Sequence, residues 1–125
     1  MNQRSTLLLG AIFGGLGIGL GAFGAHALKG VLLVNNKVEA YEIAVRYQVY
    51  HALALLLAGI LMNQIQNKFL RFATFCWIIG ILLFSGSLYA LSFAAPSAVG
   101  FLTPVGGLFI LSGWGFLFWS VFKNK

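Results

Sequence analysis

Carboxylates are almost absent from this sequence. None of its 125 residues is an aspartate, and the only two glutamates, Glu39 and Glu42, lie outside the long apolar segments. Acid–base catalysis, catalytic zinc sites and proton-driven transport commonly rely on acidic side chains. The sequence therefore carries no enzyme signature, and we expect a protein without catalytic activity, bound metal or cofactor.

Cysteine and charge are also scarce. Cys76 is the only cysteine, so an internal disulfide and a four-thiolate zinc site are both excluded. Charged residues make up 8% of the chain, against roughly 25% in a typical soluble domain. The eight lysines and arginines give a net charge of +6, but they are separated by apolar runs. No continuous basic face can form, which argues against nucleic-acid binding.

Apolar residues, by contrast, are abundant. They make up 60% of the chain, more than a small soluble domain could bury. Four apolar segments, at about 6–28, 44–62, 70–93 and 103–122, each approach the ~20 residues that cross a bilayer as a helix. The predicted fold is a single all-α domain over 1–125, an integral membrane four-helix bundle surrounded by lipid.

The first segment also has features of a cleavable signal peptide. Arg4 could serve as its basic start, and Ala25 and Ala27 resemble a small-x-small cleavage site. Because the apolar run exceeds the ~7–15 residues of a signal-peptide core, we expect a retained helix.

The distribution of cations predicts an orientation. With four spans, both termini and the central turn lie on one side of the membrane. That side carries five cations, and the other carries three: Arg4, Lys68, Arg71, Lys123 and Lys125 against Lys29, Lys37 and Arg46. The bias favours cytoplasmic termini.

Glycines form a regular pattern in the first segment. The stretch "GLGAFG" at 19–24 matches the dinucleotide fingerprint G-x-G-x-x-G. However, the glycines belong to a longer row with steps of four and three residues, which draws one stripe on a helix. Small residues at this spacing favour close helix packing. The predicted packing glycines here are Gly10, Gly14, Gly17, Gly21 and Gly24, and in the fourth segment Gly106, Gly107 and Gly113.

Helix starts are predicted from capping patterns. Asn36 followed by Glu39 resembles a capping box, which would begin the second helix with an amphipathic portion over 37–46. Thr103 followed by Pro104 suits a capping hydroxyl with proline at the first helical position of the fourth helix.

Polar residues cluster near one end of the first two spans. They have three interpretations: hydrogen bonds that fix the helix register, a site for a small ligand, lipid headgroup or proton, or axial haem ligation by the two histidines. The depths of the two histidines differ, which weakens the haem interpretation. The candidate site residues are His26, Arg46, Tyr47, Gln48 and His51.

Four stretches carry a family resemblance. They are "GAFGAHAL", "YQVYHALALL", "FSGSLYAL" and "TPVGGLFILSGW", one in each predicted helix. The chain resembles the bacterial domain of unknown function 423, a family similar to eukaryotic transmembrane protein 256. The resemblance implies a multi-pass protein of the bacterial inner membrane and transfers no activity.

The predicted function is correspondingly general. We expect a structural or accessory membrane component that packs with itself, with a larger membrane complex or with lipid. The alternative is a small oligomeric transporter or ligand carrier that uses the region of His26 and His51. A weaker alternative is a haem or quinone protein.

Overall fold

The computed structural model describes all 125 residues, and its regular structure is entirely helical. Four rods are long and apolar enough to cross a membrane, which confirms the predicted fold. The third rod, Lys68–Ser92, is continuous although its middle is π-helical, and the last rod, Ser97–Lys123, begins with a 3₁₀ turn. The elements are α1 (Gln3–Ala25), α2 (Lys29–Val34), α3 (Val38–Leu61), α4 (Lys68–Gly80), the π-helical segment Ile81–Ser85, α5 (Gly86–Ser92), a 3₁₀ turn (Ser97–Phe101) and α6 (Leu102–Lys123).

Two asparagines cap helices at the same end of the bundle. The side chain of Asn2 accepts from the backbone N–H of Ser5 at the start of α1. Asn67 caps α4 in the same way and also donates to the backbone oxygen of Ser120 at 3.0 Å. The Ser120 hydroxyl donates back to Asn67 at 2.8 Å. This reciprocal pair fixes the start of α4 against the end of α6.

Two predicted caps are corrected by the structure. Asn36 does not cap α3; it adopts a left-handed backbone (φ 54°) immediately after α2. Its N–H bonds to the oxygen of Leu33, and the N–H of Lys37 bonds to that of Leu32, the pattern that closes a helix C-terminus. The short helix α2 was not foreseen, and because it ends at this point, Asn36 serves its end rather than the start of α3.

The fourth rod also begins differently from the prediction. Because the 3₁₀ turn at Ser97–Phe101 leads directly into α6, the helix already exists at Leu102. Thr103 therefore lies inside the first turn and does not cap it. Its hydroxyl lies 2.5 Å from the hydroxyl of Ser87 in α5 instead.

Glycines mediate the packing of α1 on α3. The five glycines of the predicted stripe all lie against α3, and a Cβ added to Gly17 would lie 2.7 Å from Cγ2 of Val49. Gly14 has more room, with the nearest atom, Cβ of Ala52, at 3.7 Å. Gly15, which is off the stripe, has no neighbour within 4 Å. The spacing of four and three residues therefore marks the face along which α1 and α3 approach.

A second small-residue contact joins α6 to the third rod. A Cβ on Gly106 would collide with the backbone of Phe84 in the π-helical segment, and one on Gly113 would meet the ring of Trp77. Gly107 makes only an ordinary contact, 3.9 Å from Cδ2 of Phe84. The π-helical segment thus lies where the two backbones are closest.

The third rod and α3 form the centre of the molecule. In α3, 44% of an 18-residue apolar stretch is buried, against 11% in α1 and 22% in the last rod. One cluster of buried apolar side chains fills the centre, and α1 and α6 contribute none of its fully buried members: Ala54, Leu55, Ala58, Ile65, Leu70, Ala73, Trp77 and Ile81. The outer helices present most of their apolar surface to the membrane.

Candidate functional site

Gln48 joins three helices near the middle of α3. Its side-chain N–H donates to the backbone oxygen of Phe13 in α1 at 2.9 Å. Its side-chain oxygen accepts from the hydroxyl of Tyr89 in α5 at 2.7 Å. Gln48 is only 4% exposed, so an unpaired amide at this position would be costly. The two bonds connect the α1–α3 pair to the third rod.

His51 lies one turn further along α3 and is equally buried. Its Nδ1 lies 2.7 Å from the backbone oxygen of Tyr47, and its Nε2 lies 3.1 Å from Nε1 of Trp114 in α6. An indole N–H can only donate. Nε2 is therefore the acceptor, and Nδ1 carries the proton that it donates to Tyr47.

This arrangement uses both ring nitrogens of a neutral imidazole. A haem iron or a proton would have to displace the Trp114 indole to reach Nε2. The ring is further enclosed by aromatic neighbours: the centroid of Trp114 lies 5.9 Å away and that of Trp77 6.4 Å away. His51 is thus held as a hydrogen-bonding link between α3 and α6.

Smaller hydroxyl groups make further links. Ser85, in the π-helical segment, donates to the backbone oxygen of Ala44 in α3 at 2.7 Å. Ser87 pairs with Thr103 and thereby joins α5 to α6. Each of these bonds connects a different pair of rods, so the polar groups are distributed through the bundle rather than gathered around one cavity.

The remaining predicted site residues lie elsewhere. His26 is exposed at the C-terminal end of α1. The contact of Gly24 with Tyr41 sets the antiparallel register of α1 and α3. In that register, His26 and His51 are separated along the helix axis by about twelve helical positions, or about 18 Å. Arg46 is exposed on α3, and the ring of Tyr47 stacks against His51 at 6.2 Å. The structure does not bring the two histidines together.

Arg46 instead lines a half-open pocket of about 380 Å³ at the end of α1. The pocket is also lined by Gly21, Gly24, Tyr41 and Glu42, and Glu42 lies one turn before Arg46 on α3. No acidic and basic side chains approach within 4.0 Å of each other anywhere in the chain. The two charges in this pocket are therefore not paired with each other.

Sequence reasoning missed the partners of the buried polar groups. Tyr89 and Trp114 lie 41 and 63 residues from the side chains they bond. The only available signal was that each carries a polar atom within an apolar span, where such atoms need partners. The sequence also did not indicate the burial of Trp77. Its Nε1 is the one buried side-chain polar atom without a hydrogen-bond partner.

No group of three or more histidine, cysteine, aspartate or glutamate side chains lies close enough to hold an ion. The polar side chains that reach the core carry amide, hydroxyl, indole and imidazole groups, which suit hydrogen bonding between helices.

Fold and site together define a small four-helix membrane protein whose buried polar groups link its helices. The model of the protein family of unknown function DUF423 matches residues 20–107, and the chain belongs to that family. No solved structure matches the chain.

Relatives of nearly the same length occur in several bacteria. A UPF0382 membrane protein of Haemophilus influenzae is 40% identical, with 98% of each chain covered. The UPF0382 membrane protein YwdK of Bacillus subtilis is 39% identical, covering 90% of this chain and 91% of its own. The UPF0382 inner membrane protein YgdD of Escherichia coli is 33% identical, covering 100% of this chain and 95% of its own. The expected family is thereby confirmed, and the chain is a multi-pass membrane protein.

Proposed function

We propose that this protein is a non-catalytic structural or accessory component of the bacterial inner membrane. The observation that carries the proposal is the use of the core polar groups. Gln48 bonds to two other helices through both ends of its amide, and His51 bonds to α6 through Nε2 and to the backbone of its own helix through Nδ1. A catalytic or transport site needs polar groups that are free to meet a substrate, and these two are already occupied.

The outer helices supply the surfaces for such a role. Large apolar side chains on α1 and α6 point away from the bundle, among them Ile18 and Phe118 at 66% and 68% exposure. In a membrane these faces meet lipid, a second copy of the chain or a larger complex. The proposed role is to pack with one of these.

Affinity capture from membranes solubilised in a mild detergent tests the proposal. We expect a tagged chain to recover a second, untagged copy or a partner protein in stoichiometric amounts. Native mass spectrometry and a visible spectrum of the same preparation are expected to show no retained chromophore and no small molecule other than membrane lipid.

The His51→Gln variant provides the comparison. It keeps a hydrogen-bonding group in the core, so the fold and any captured partner are expected to persist. A small molecule that the wild type retains and a well-folded His51→Gln variant loses would contradict the accessory role and favour a ligand carrier.

A further inference from the structure

The pocket at the end of α1 combines charges of both signs with an apolar lining. Glu42 and Arg46 are exposed, lie one turn apart on α3 and are not paired with each other. Leu32, Val38 and Val45 supply apolar walls. Two unpaired opposite charges beside apolar surface match a ligand that itself carries two opposite charges and a hydrocarbon part.

The depth of the pocket matches the edge of the bilayer. Gly21 packs against Val45, so Arg46 lies about four residues, or about 6 Å, inside the end of α1. With 23 residues, α1 is about 35 Å long and slightly exceeds the ~30 Å hydrocarbon core. From this depth an arginine side chain can extend to the headgroup layer.

The order of the two charges along α3 limits the choice of ligand further. Glu42 lies one helical turn, about 5–6 Å, closer to the membrane surface than Arg46. In a zwitterionic phospholipid the phosphate adjoins the glycerol, and the ammonium lies beyond it. A guanidinium binds phosphate through paired hydrogen bonds, and a carboxylate accepts hydrogen bonds from a primary ammonium.

We propose that this pocket binds the headgroup of phosphatidylethanolamine, with its phosphate on Arg46, its ammonium on Glu42 and its acyl chains along the apolar walls. Phosphatidylcholine offers no ammonium N–H to Glu42, and phosphatidylglycerol offers no cation. The inference goes beyond the accessory role and does not depend on it, because either could hold without the other.

Native mass spectrometry of the full-length protein tests the site. The purified chain is titrated with phosphatidylethanolamine, phosphatidylcholine and phosphatidylglycerol that share the same acyl chains. We expect the ethanolamine lipid to bind about tenfold more tightly than the other two, as one additional charge-assisted hydrogen bond would give. Equal binding of the three lipids, or preference for either of the others, would overturn the proposal.

Two variants separate the roles of the two charges. Arg46→Gln is expected to weaken binding of all three lipids, because all carry the phosphate. Glu42→Gln is expected to remove the preference for ethanolamine while leaving phosphatidylglycerol binding in place. Glu39→Gln, an exposed change outside the pocket, is the matched control and is expected to bind like the wild type.

Glu42→Gln keeps the test decisive if Arg46→Gln does not fold, because it is an independent change that removes only the group assigned to the ammonium. Retention of the ethanolamine preference by a folded Glu42→Gln variant would refute the assignment. Water-soluble phosphoethanolamine serves as a separate arm. If it bound as tightly as the lipid, the apolar walls would contribute nothing and the ligand would not be a membrane lipid.

Discussion

At the scale of single residues, membrane burial makes each hydrogen bond a constraint on the fold. A polar atom in the hydrocarbon core has no water with which to form a hydrogen bond. His51 satisfies both ring nitrogens and Gln48 satisfies both ends of its amide. Bonds of this kind add only modest stability in a bilayer, about 0.6 kcal/mol on average. Their larger effect is to penalise helix rotations that would leave them unpaired.

A double-mutant cycle measures the bond between His51 and Trp114. His51→Leu leaves the indole N–H unpaired, and Trp114→Phe leaves Nε2 unpaired, so each change is expected to destabilise the protein by about 1–3 kcal/mol. The double variant should be less destabilised than the sum, by about 0.6 kcal/mol and at most about 1.7 kcal/mol. Reversible unfolding in mixed micelles gives the free energies.

The control cycle uses Trp119, another tryptophan of α6, in place of Trp114. Trp119 packs against Phe69 and Phe122 and has no contact with His51. His51→Leu and Trp119→Phe should therefore be additive. Additivity of the His51 and Trp114 changes as well would show that the 3.1 Å contact contributes no coupling.

At the scale of the helices, glycine decides how closely the rods approach. Steps of four and three residues keep five glycines on the side of α1 that faces α3. The other side of the same helix carries large exposed side chains such as Leu16 and Ile18. The helix therefore has one face suited to a neighbouring backbone and another suited to lipid.

Gly17→Leu and Gly15→Leu form a matched pair on α1. At Gly17 a Cβ already lies 2.7 Å from Val49, whereas Gly15 has nothing within 4 Å. We expect Gly17→Leu to lower stability by about 1–3 kcal/mol through overpacking. Gly15→Leu should be close to neutral. Thermal unfolding in detergent compares them, and equal losses would mean that the α1–α3 contact does not depend on the glycine stripe.

At the scale of the whole molecule, the four rods fix which loops share a side of the membrane. Both termini and the turn between α3 and α4 lie together, while α2 and the 3₁₀ turn lie at the opposite end. At the terminal end, Lys123 lies over the rings of Phe69 and Trp119, at 5.9 and 5.4 Å from their centroids. Cationic and aromatic side chains in contact are typical of an interface anchor.

Labelling of single cysteines tests the orientation. In a Cys76→Ser background, cysteines replace Gln66, Ser97 and Asn124, all of which are exposed. The excess of cations at the terminal end predicts that it is cytoplasmic. An impermeant thiol reagent should then label only position 97 in intact cells. Labelling at 66 and 124 without labelling at 97 would reverse the orientation, and permeabilised cells confirm that all three sites can react.

Local sequence determined the elements that depend on local physics. Hydrophobicity summed over about twenty residues is enough to assign a membrane helix, so the four membrane-spanning rods follow directly from the sequence. The family follows separately, from the resemblance carried by four short stretches. The steps between glycines lie within one or two helical turns, so the sequence also predicts the face of α1 that carries them. Helix boundaries do not follow from hydrophobicity alone: α1 begins at Gln3 rather than near residue 6, because the Asn2 side chain caps it earlier.

Only the tertiary structure decided which polar groups meet. The partner of His51 lies 63 residues away, and that of Gln48 lies 41 residues away. Nothing in the local spacing specifies such pairs, because they depend on how far each rod rotates and slides against its neighbours. That geometry is set jointly by glycine contacts on two separate helix pairs. The candidate grouping of His26 with His51 depends on the same geometry: both lie near one loop, but their depths along the antiparallel helices differ by about 18 Å, in line with the difference in depth that the sequence indicates.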